Sequence, residues 1–159
     1  YIVAHNILRA HARAVYQYRN VFNSSTGSSR GDSINNKGDI TMVISGDWTE
    51  PWNNSNPLDV AASQRRQEYQ IGWFADPLYF GHYPLSMTKN GVGGSRLPIF
   101  TKEESRLIKG SVDYFALNHY TSRFGKHANY PPSCIVGSGG ANVTGGKGWD
   151  EDQCCKWYL

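Results

Sequence analysis

Apolar residues recur at every third or fourth position near the start of the chain, which is the spacing of one helical face. The stripe consists of Leu8, Ala12, Val15 and Tyr18. It predicts a helix from Ile2 to about Phe22. Residues 23–39 lack this periodicity and are rich in Ser, Gly, Asn and Asp, so they predict a long exposed loop.

Two later runs are almost continuously apolar and predict strands buried in a core. They are residues 40–44 (ITMVI) and 112–117 (VDYFAL). Polar and aromatic side chains follow each run at once, as SGDW at 45–48 and NHYT at 118–121. Each predicted strand therefore has an apolar body and an end that can bind or react.

Helical signals lie between the two strands. Asn56, Pro57 and Asp59 are typical of a helix start, and this helix should continue to about Phe74. Its inward-facing residues should be Leu58, Ala61, Ala62, Tyr69, Gly72 and Trp73. Residues 72–84 contain the breakers Asp76-Pro77 and Gly81, so they predict a compact, aromatic-packed turn region.

A second, shorter helix should run from Thr101 to Leu107. Thr101 and Glu104 are three residues apart and predict a capping box at its start. Beyond Gly125 the chain is rich in Gly, Pro, Ser and Asn, and an element is expected only in the last few residues.

The alternation of helices and strands predicts an α/β fold with parallel strands joined by right-handed crossovers. In such sheets, ligands bind beyond the carboxyl ends of the strands. SGDW and NHYT should therefore lie at one active edge.

Composition excludes several functions. The 159 residues are enough for one domain with a core, and 39% of them are hydrophobic. The net charge of +3 is spread along the chain, which disfavours a nucleic-acid partner. No apolar run is long enough for a membrane span.

The cysteines and glycosylation sequons favour a secreted or extracellular glycoprotein. Sequons occur at Asn23, Asn53 and Asn142. Cys134 could form a disulfide with Cys154 or Cys155, which leaves the pairing open and one thiol unpaired. Three cysteines are too few and too widely spaced to predict a metal site. The tripeptide Arg30-Gly31-Asp32 resembles an integrin ligand, but an unconstrained loop can carry such a string without any adhesive role.

Four stretches carry a family likeness. They are residues 5–19 (HNILRAHARAVYQYR), 38–51 (GDITMVISGDWTEP), the run from Pro57 through GWFADPLYFGHYP at 72–84, and 95–123 (SRLPIFTKEESRLIKGSVDYFALNHYTSR). In this order and spacing the chain resembles glycoside hydrolase family one, which includes β-glucosidases and lactase-phlorizin hydrolase. The resemblance covers residues 1–124, the predicted central part of a barrel, whereas the Gly- and Cys-containing tail at 125–159 matches weakly.

The resemblance implies a partial (β/α)8 TIM barrel, of which this chain supplies roughly the fifth and sixth strands with flanking helices. Family members are retaining enzymes with an acid/base glutamate in T-x-N-E-P and a nucleophilic glutamate in T-E-N-G. Neither motif occurs here. The resemblance therefore implies an internal fragment, inactive alone, of an enzyme for β-glucosides or β-galactosides. The remainder of the barrel would be its partner, and no metal or organic cofactor is implied.

The carboxylates present do not replace the missing glutamates. Glu103 and Glu104 fit the electrostatics of a helix start, and Asp113 precedes its strand, away from the active edge. Glu50 lies near the active edge, but no motif supports a catalytic role for it.

The resemblance also implies roles for four residues at the strand ends. Tyr120 would support the nucleophile, and Asn118 would lie beside the sugar subsite. Asp47 and Trp48 would border the aglycone, where plant members often have Asn in place of Asp47. A packing role is the plain alternative for each, and His119 is expected to pack or hydrogen-bond outside the site.

Two other interpretations stay open at this point. One is a non-catalytic, Klotho-like binding module for a protein or glycolipid, since one copy of a tandem barrel can lose a glutamate. The other is an autonomous domain, which is disfavoured because two barrel strands alone leave open edges and uncovered helix faces.

Overall fold

A computed structural model describes residues 1–22, 38–89, 96–128 and 155–158. Within these ranges the chain is a mixed α/β unit. Its elements are α1 (Ile2–Gln17), β1 (Val43–Ser45), β2 (Trp48–Pro51), α2 (Pro57–Gln67), α3 (Trp73–Phe80), α4 (Leu85–Lys89), α5 (Lys102–Ile108), β3 (Ala116–Asn118), β4 (Ser122–His127) and β5 (Cys155–Tyr158). Two π-helical turns continue α1 and join α2 to α3, at Tyr18–Phe22 and Glu68–Gly72. No described helix is both long and apolar enough to cross a bilayer.

Several sequence predictions lie outside the described residues. They concern the loop at 23–37, the tripeptide Arg30-Gly31-Asp32, the sequons at Asn23 and Asn142, and the cysteines Cys134 and Cys154. Cys155 is described and is a buried free thiol.

The predicted first helix is confirmed. Leu8, Ala12 and Val15 of the predicted stripe are buried on α1. Leu8 and Ala12 pack into a core cluster shared with β1 and the chain segments that follow it. Its members are Leu8, Ala12, Ile44, Tyr69, Leu78, Tyr83, Met87, Leu97 and Ile108. Full burial of a large apolar side chain stabilises a fold by about 1.5–3 kcal/mol.

The helical segment that starts after Asn56 continues through α2, the π-helical turn and α3 to Phe80, which is further than the predicted end near Phe74. Its start is confirmed, because the Asn56 side chain accepts a hydrogen bond from the Leu58 N–H at 3.1 Å. The predicted turn region at 72–84 was wrong, since α3 passes through Pro77 to Phe80. Burial of Leu78 in the core outweighs the hydrogen bond that Pro77 cannot donate. The helix ends at Gly81, whose φ of 85° suits glycine.

Leu58 was also predicted wrongly, as an inward-facing residue. It lies in the first turn of α2, where its side chain points to solvent. The capping box on α5 is confirmed: the Glu104 N–H donates to Thr101 Oγ1 at 3.1 Å, and the Thr101 N–H donates to Glu104 Oε2 at 2.9 Å.

The two predicted strands are parallel, as expected, with Val43 beside Ala116 and Ser45 beside Asn118. They are shorter than predicted, and the residues before them are held by Asp113, whose N–H donates to the Ile40 carbonyl at 2.8 Å and whose carboxylate accepts from the Ile40 N–H at 2.7 Å. They are also less buried than predicted, with Val43 57% and Leu117 37% exposed. Val43 lies on the face opposite to buried Ile44, which accounts for its larger exposure.

A second sheet was not predicted, apart from an element near the end of the chain. Its strand order is β2-β4-β5, with β2 parallel and β5 antiparallel to β4. Strand β4 runs across the predicted boundary between 1–124 and 125–159, and that division stays a prediction.

Candidate active site at the strand ends

The polar ends of β1 and β3 lie at one edge of the molecule, as the sequence predicted. Ser45 lies beside Asn118 at the last paired position, and the Gly46 N–H donates to the Asn118 carbonyl at 3.1 Å. Parallel pairing therefore brings SGDW and NHYT together, although they are far apart in sequence.

An extra residue bulges out of the second chain segment at this edge. Two residues, 46–47, connect the paired positions Ser45 and Trp48. Three residues, 119–121, connect their partners Asn118 and Ser122. Such a bulge shifts every later side chain of one strand to the opposite face and redirects those within it.

Tyr120 is the middle residue of this bulge and is 76% exposed. Asn118 is exposed beside it. His119, the first bulge residue, turns back, with its Nδ1 3.3 Å from the Gly46 carbonyl oxygen. Tyr120 and Asn118 are thus free to meet a ligand, whereas His119 joins the two strand ends.

Trp48 and Glu50 share the open face of β2. The Trp48 indole N–H donates to Glu50 Oε1 at 2.7 Å, and the Trp48 side chain is 46% exposed. The Glu50 carboxylate is therefore engaged in orienting an exposed ring.

Asp47 points to the opposite, packed face of the sheet, where it meets a side chain of β4. Its Oδ2 accepts a hydrogen bond from Arg123 Nε at 3.4 Å. With the Gln70 amide oriented to satisfy both neighbours, its nitrogen donates to the Asp47 carbonyl at 3.2 Å and its oxygen accepts from Arg66 at 3.0 Å. Sequence reasoning missed Arg123 and Gln70. The available signal was a basic residue, Arg123, soon after NHYT, together with an acidic residue, Asp47, in SGDW.

A groove of about 480 Å³ lies between β2 and the helical segment that follows it. Trp48 and Glu50 line one side, and Gln67 and Asp76 line the helical side. Gln67 donates to the Thr49 carbonyl at 3.1 Å. Burial raises the pKa of the Asp76 carboxyl, although His82 nearby opposes this.

The carboxylates excluded by sequence do lie away from this edge. Asp113 accepts a hydrogen bond from Arg19 at 2.5 Å, at the entry to β3. The Thr101 backbone N–H bonded to Glu104 lowers the pKa of that carboxyl, and Arg9 lies 2.6 Å from it. Among the described residues, no cluster of three His, Cys, Asp or Glu side chains could hold a metal ion.

Two histidines of α1 have structural contacts. His5 is buried, with Nδ1 3.0 Å from the Tyr83 hydroxyl, and it stacks on Phe100 at 4.5 Å. Burial lowers the pKa of His5. His11, for which no role was predicted, lies 2.7 Å from the Ser111 carbonyl oxygen and so ties α1 to the chain before β3.

Comparison with known proteins defines the class. Residues 1–147 match glycosyl hydrolase family 1. The chain belongs to this family. It is 41% identical over 127 residues to beta-glucosidase 25 of Oryza sativa subsp. japonica, covering 80% of this chain and 23% of the relative. It is 37% identical over 139 residues to the lactase-like protein of Homo sapiens, covering 82% and 23%.

Solved structures agree. The GH1 β-glucosidase of the fungus Humicola insolens in complex with glucose has a TM-score of 0.73 and 40% identity, covering 98% of this chain and 27% of that one. An aphid myrosinase has a TM-score of 0.76 and 29% identity, covering 100% and 31%. The chain thus has the fold of part of a TIM-barrel glycosidase and spans less than a third of these relatives.

Proposed function

We propose that this chain is an internal part of a retaining β-glycosidase that hydrolyses β-glucosides or β-galactosides. Strands β1 and β3 would be roughly the fifth and sixth strands of its barrel. The observation that carries the proposal is the parallel pairing of Ser45 with Asn118 in a chain of this family. This pairing puts the candidate sugar-binding side chains at the carboxyl edge, where barrel enzymes bind substrates.

The reaction would be a double displacement at the anomeric carbon. A nucleophilic carboxylate forms a glycosyl-enzyme, and a second carboxyl group protonates the leaving oxygen and then activates water. Both glutamates would come from other parts of the parent protein, since neither family motif occurs in this sequence. The chain alone would therefore be inactive.

Tyr120 would donate a hydrogen bond from its hydroxyl to the nucleophilic carboxylate, and Asn118 would hydrogen-bond the sugar. Both side chains are exposed at the edge in question. Trp48 would offer an aromatic face to the aglycone, and Asp47 would lie at the border of the same pocket. Glu50 is a poor substitute for a catalytic glutamate because its carboxylate is bonded to the Trp48 indole.

The test is turnover by the full-length protein. We expect nitrophenol release from an aryl β-glucoside or β-galactoside, and none from the matched α-glucoside. The 159-residue chain alone should release none from either anomer. A parent protein that carries both glutamates and yet hydrolyses no β-glycoside would refute the proposal.

The Klotho-like binding module finds no support among the relatives described above. The two proposals differ in the flanking sequence: a catalytic parent carries both glutamates, and a binding module lacks at least one.

We also propose that the parent is secreted and glycosylated at Asn53. This sequon lies in an exposed turn before α2, where Asn53 Oδ1 accepts from the Ser55 N–H at 2.9 Å and the Asn53 carbonyl accepts from the Asn56 N–H at 3.0 Å. In secreting eukaryotic cells, Asn53→Gln should remove one glycan, detected by peptide N-glycosidase treatment. Asn54→Gln leaves the sequon intact and is the control. An unchanged glycan count in Asn53→Gln would refute this.

A further inference from the structure

We propose that Arg123 is a positioning residue of this site: it holds Asp47 on the packed face of the sheet and thereby keeps Trp48 directed to the substrate side. The inference rests on the proposed glycosidase function. It adds to that function a residue and an ion pair that the strand-end motifs did not predict.

The bulge determines which side chain of β4 meets Asp47. Strand β2 pairs Thr49 with Arg123, and paired neighbours in a sheet point to the same face. Asp47 lies two residues before Thr49 and shares that face. If residues 119–121 were instead paired one to one with residues 46–48, Ser122 would lie beside Thr49 and Arg123 would point away. The inserted residue therefore sets up the ion pair.

The environment favours a well-fixed pair. Thr49 is buried, and the side chains of Asp47 and Arg123 are 18% and 28% exposed. Partial burial weakens the competition of water for both charges, so the pair is held more firmly than one in open solvent. Asp47 is also held through its carbonyl by Gln70, which Arg66 orients in turn. Two elements, β4 and the π-helical turn after α2, therefore fix one residue.

Fixing Asp47 fixes the next residue. Successive side chains of a strand point to opposite faces, so Trp48 lies on the open face when Asp47 faces Arg123. The backbone N–H of Trp48 donates to the Thr121 carbonyl at 3.3 Å, which ties this part of the backbone to the bulge. Without Arg123, the partly buried Asp47 carboxylate is better solvated if it turns toward water. Such a movement would rotate the peptide between Asp47 and Trp48 and displace the Trp48 indole.

The ion pair between Arg123 and Asp47 also keeps the Asp47 carboxylate away from the pocket. With Arg123 in place, the Asp47 carboxylate is paired on the packed face, and Trp48 remains on the open face with its hydrogen-bonded partner Glu50. The exposed Trp48 ring suits an aglycone that is apolar or aromatic.

The experiment uses the full-length protein with an aryl β-glucoside and four variants: Arg123→Met, Arg123→Lys, Asp47→Asn and the double variant Arg123→Met/Asp47→Asn. We expect Arg123→Met to raise KM about tenfold with kcat within about twofold, as for a loss of substrate binding. Arg123→Lys keeps a cation and should stay within about threefold of the parent KM. Asp47→Asn alone keeps an oxygen that can accept from Arg123 and should raise KM less than Arg123→Met does. In the double variant it should restore KM to within about threefold, because no partly buried charge is then left unpaired.

Arg19→Met is the matched control, because Arg19 pairs with Asp113 at the opposite end of the same strands. It should leave KM unchanged. The inference fails if Arg123→Met leaves KM unchanged, if Asp47→Asn does not rescue it, or if Arg19→Met raises KM equally. Should Arg123→Met not fold, the Arg123→Lys and Asp47→Asn values decide, and a tenfold rise in either refutes the inference. Absence of turnover in the parent would instead refute the glycosidase proposal itself.

Discussion

Ser45 and Asn118 lie side by side as the last residues of two parallel strands. Because the strands run in the same direction, the residues that follow both of them emerge on one side of the molecule. Trp48, Asn118 and Tyr120 therefore come from two distant chain segments to a common edge. This arrangement makes a shared site possible.

Tyr120→Phe in the full-length protein should lower kcat/KM about 10- to 100-fold, the range expected for loss of one hydrogen bond to a charged group. The hydroxyl is the group removed, and the ring stays. Steady-state kinetics with an aryl β-glucoside measures the effect. Tyr114→Phe is the control, since Tyr114 precedes β3 at the far end of the strand and is exposed as well. Equal losses in both variants would contradict the proposed role of Tyr120.

Gly125→Ala should destabilise the full-length protein by about 1–3 kcal/mol. A β-carbon at Gly125 would lie 2.7 Å from Thr49 Cγ2 and 3.4 Å from the Ser63 Cα, so the sheet could not keep its distance from α2. Denaturant unfolding measures the loss. Adding Thr49→Ser removes the clashing methyl group and should recover part of it. If Gly125→Ala is neutral, β4 does not pack as closely as described.

His5 should make stability depend on pH. Burial lowers its pKa, and among its charged neighbours Glu104 opposes and Arg9 reinforces this shift. The folded state therefore favours neutral His5, and the unfolded chain binds a proton more readily. As pH falls below the ordinary value of 6.5, the free energy of unfolding should fall. Urea unfolding of the full-length protein at several pH values measures this slope.

The variant that tests this slope is His5→Gln, which should flatten it. An equally steep slope in His5→Gln would show that other groups cause the dependence.

The 159-residue chain alone should not unfold as a cooperative monomer. Val43 and Leu117 are exposed on a two-stranded ladder whose outer edges carry no partner strand within the described residues. Such edges and apolar side chains favour association. Size-exclusion chromatography with light scattering should find oligomers, and heating should give a broad transition. A monomer with one sharp transition would be an autonomous domain.

Local signals in the sequence predicted the helices well. The α1 stripe, the Asn56 cap and the Thr101 capping box depend on residues a few positions apart, and each is confirmed. Pro77 misled because its local preference for a turn was overridden by burial of Leu78 next to it. Strand lengths were also wrong, since they depend on partners elsewhere in the chain.

The candidate site was predictable only in part. Apolar runs followed by polar residues located both strand ends, and parallel pairing joined them as expected. The bulge at 119–121 could not be predicted, because it is a difference in length between two segments whose pairing must first be known. Arg123 and its contact with Asp47 depend on that bulge, so the ion pair could not be predicted either.

Asp113 stabilises the start of β1 and β3, at the end opposite to the candidate site. One of its oxygens accepts the Ile40 N–H and the other bonds to Arg19, which also donates to the Gly110 carbonyl at 2.8 Å. These hydrogen bonds fix the starts of β1 and β3, at the end opposite to Tyr120. A substitution at the end that carries Tyr120 can therefore change the exposed side chains there and leave the start of the β1–β3 ladder intact.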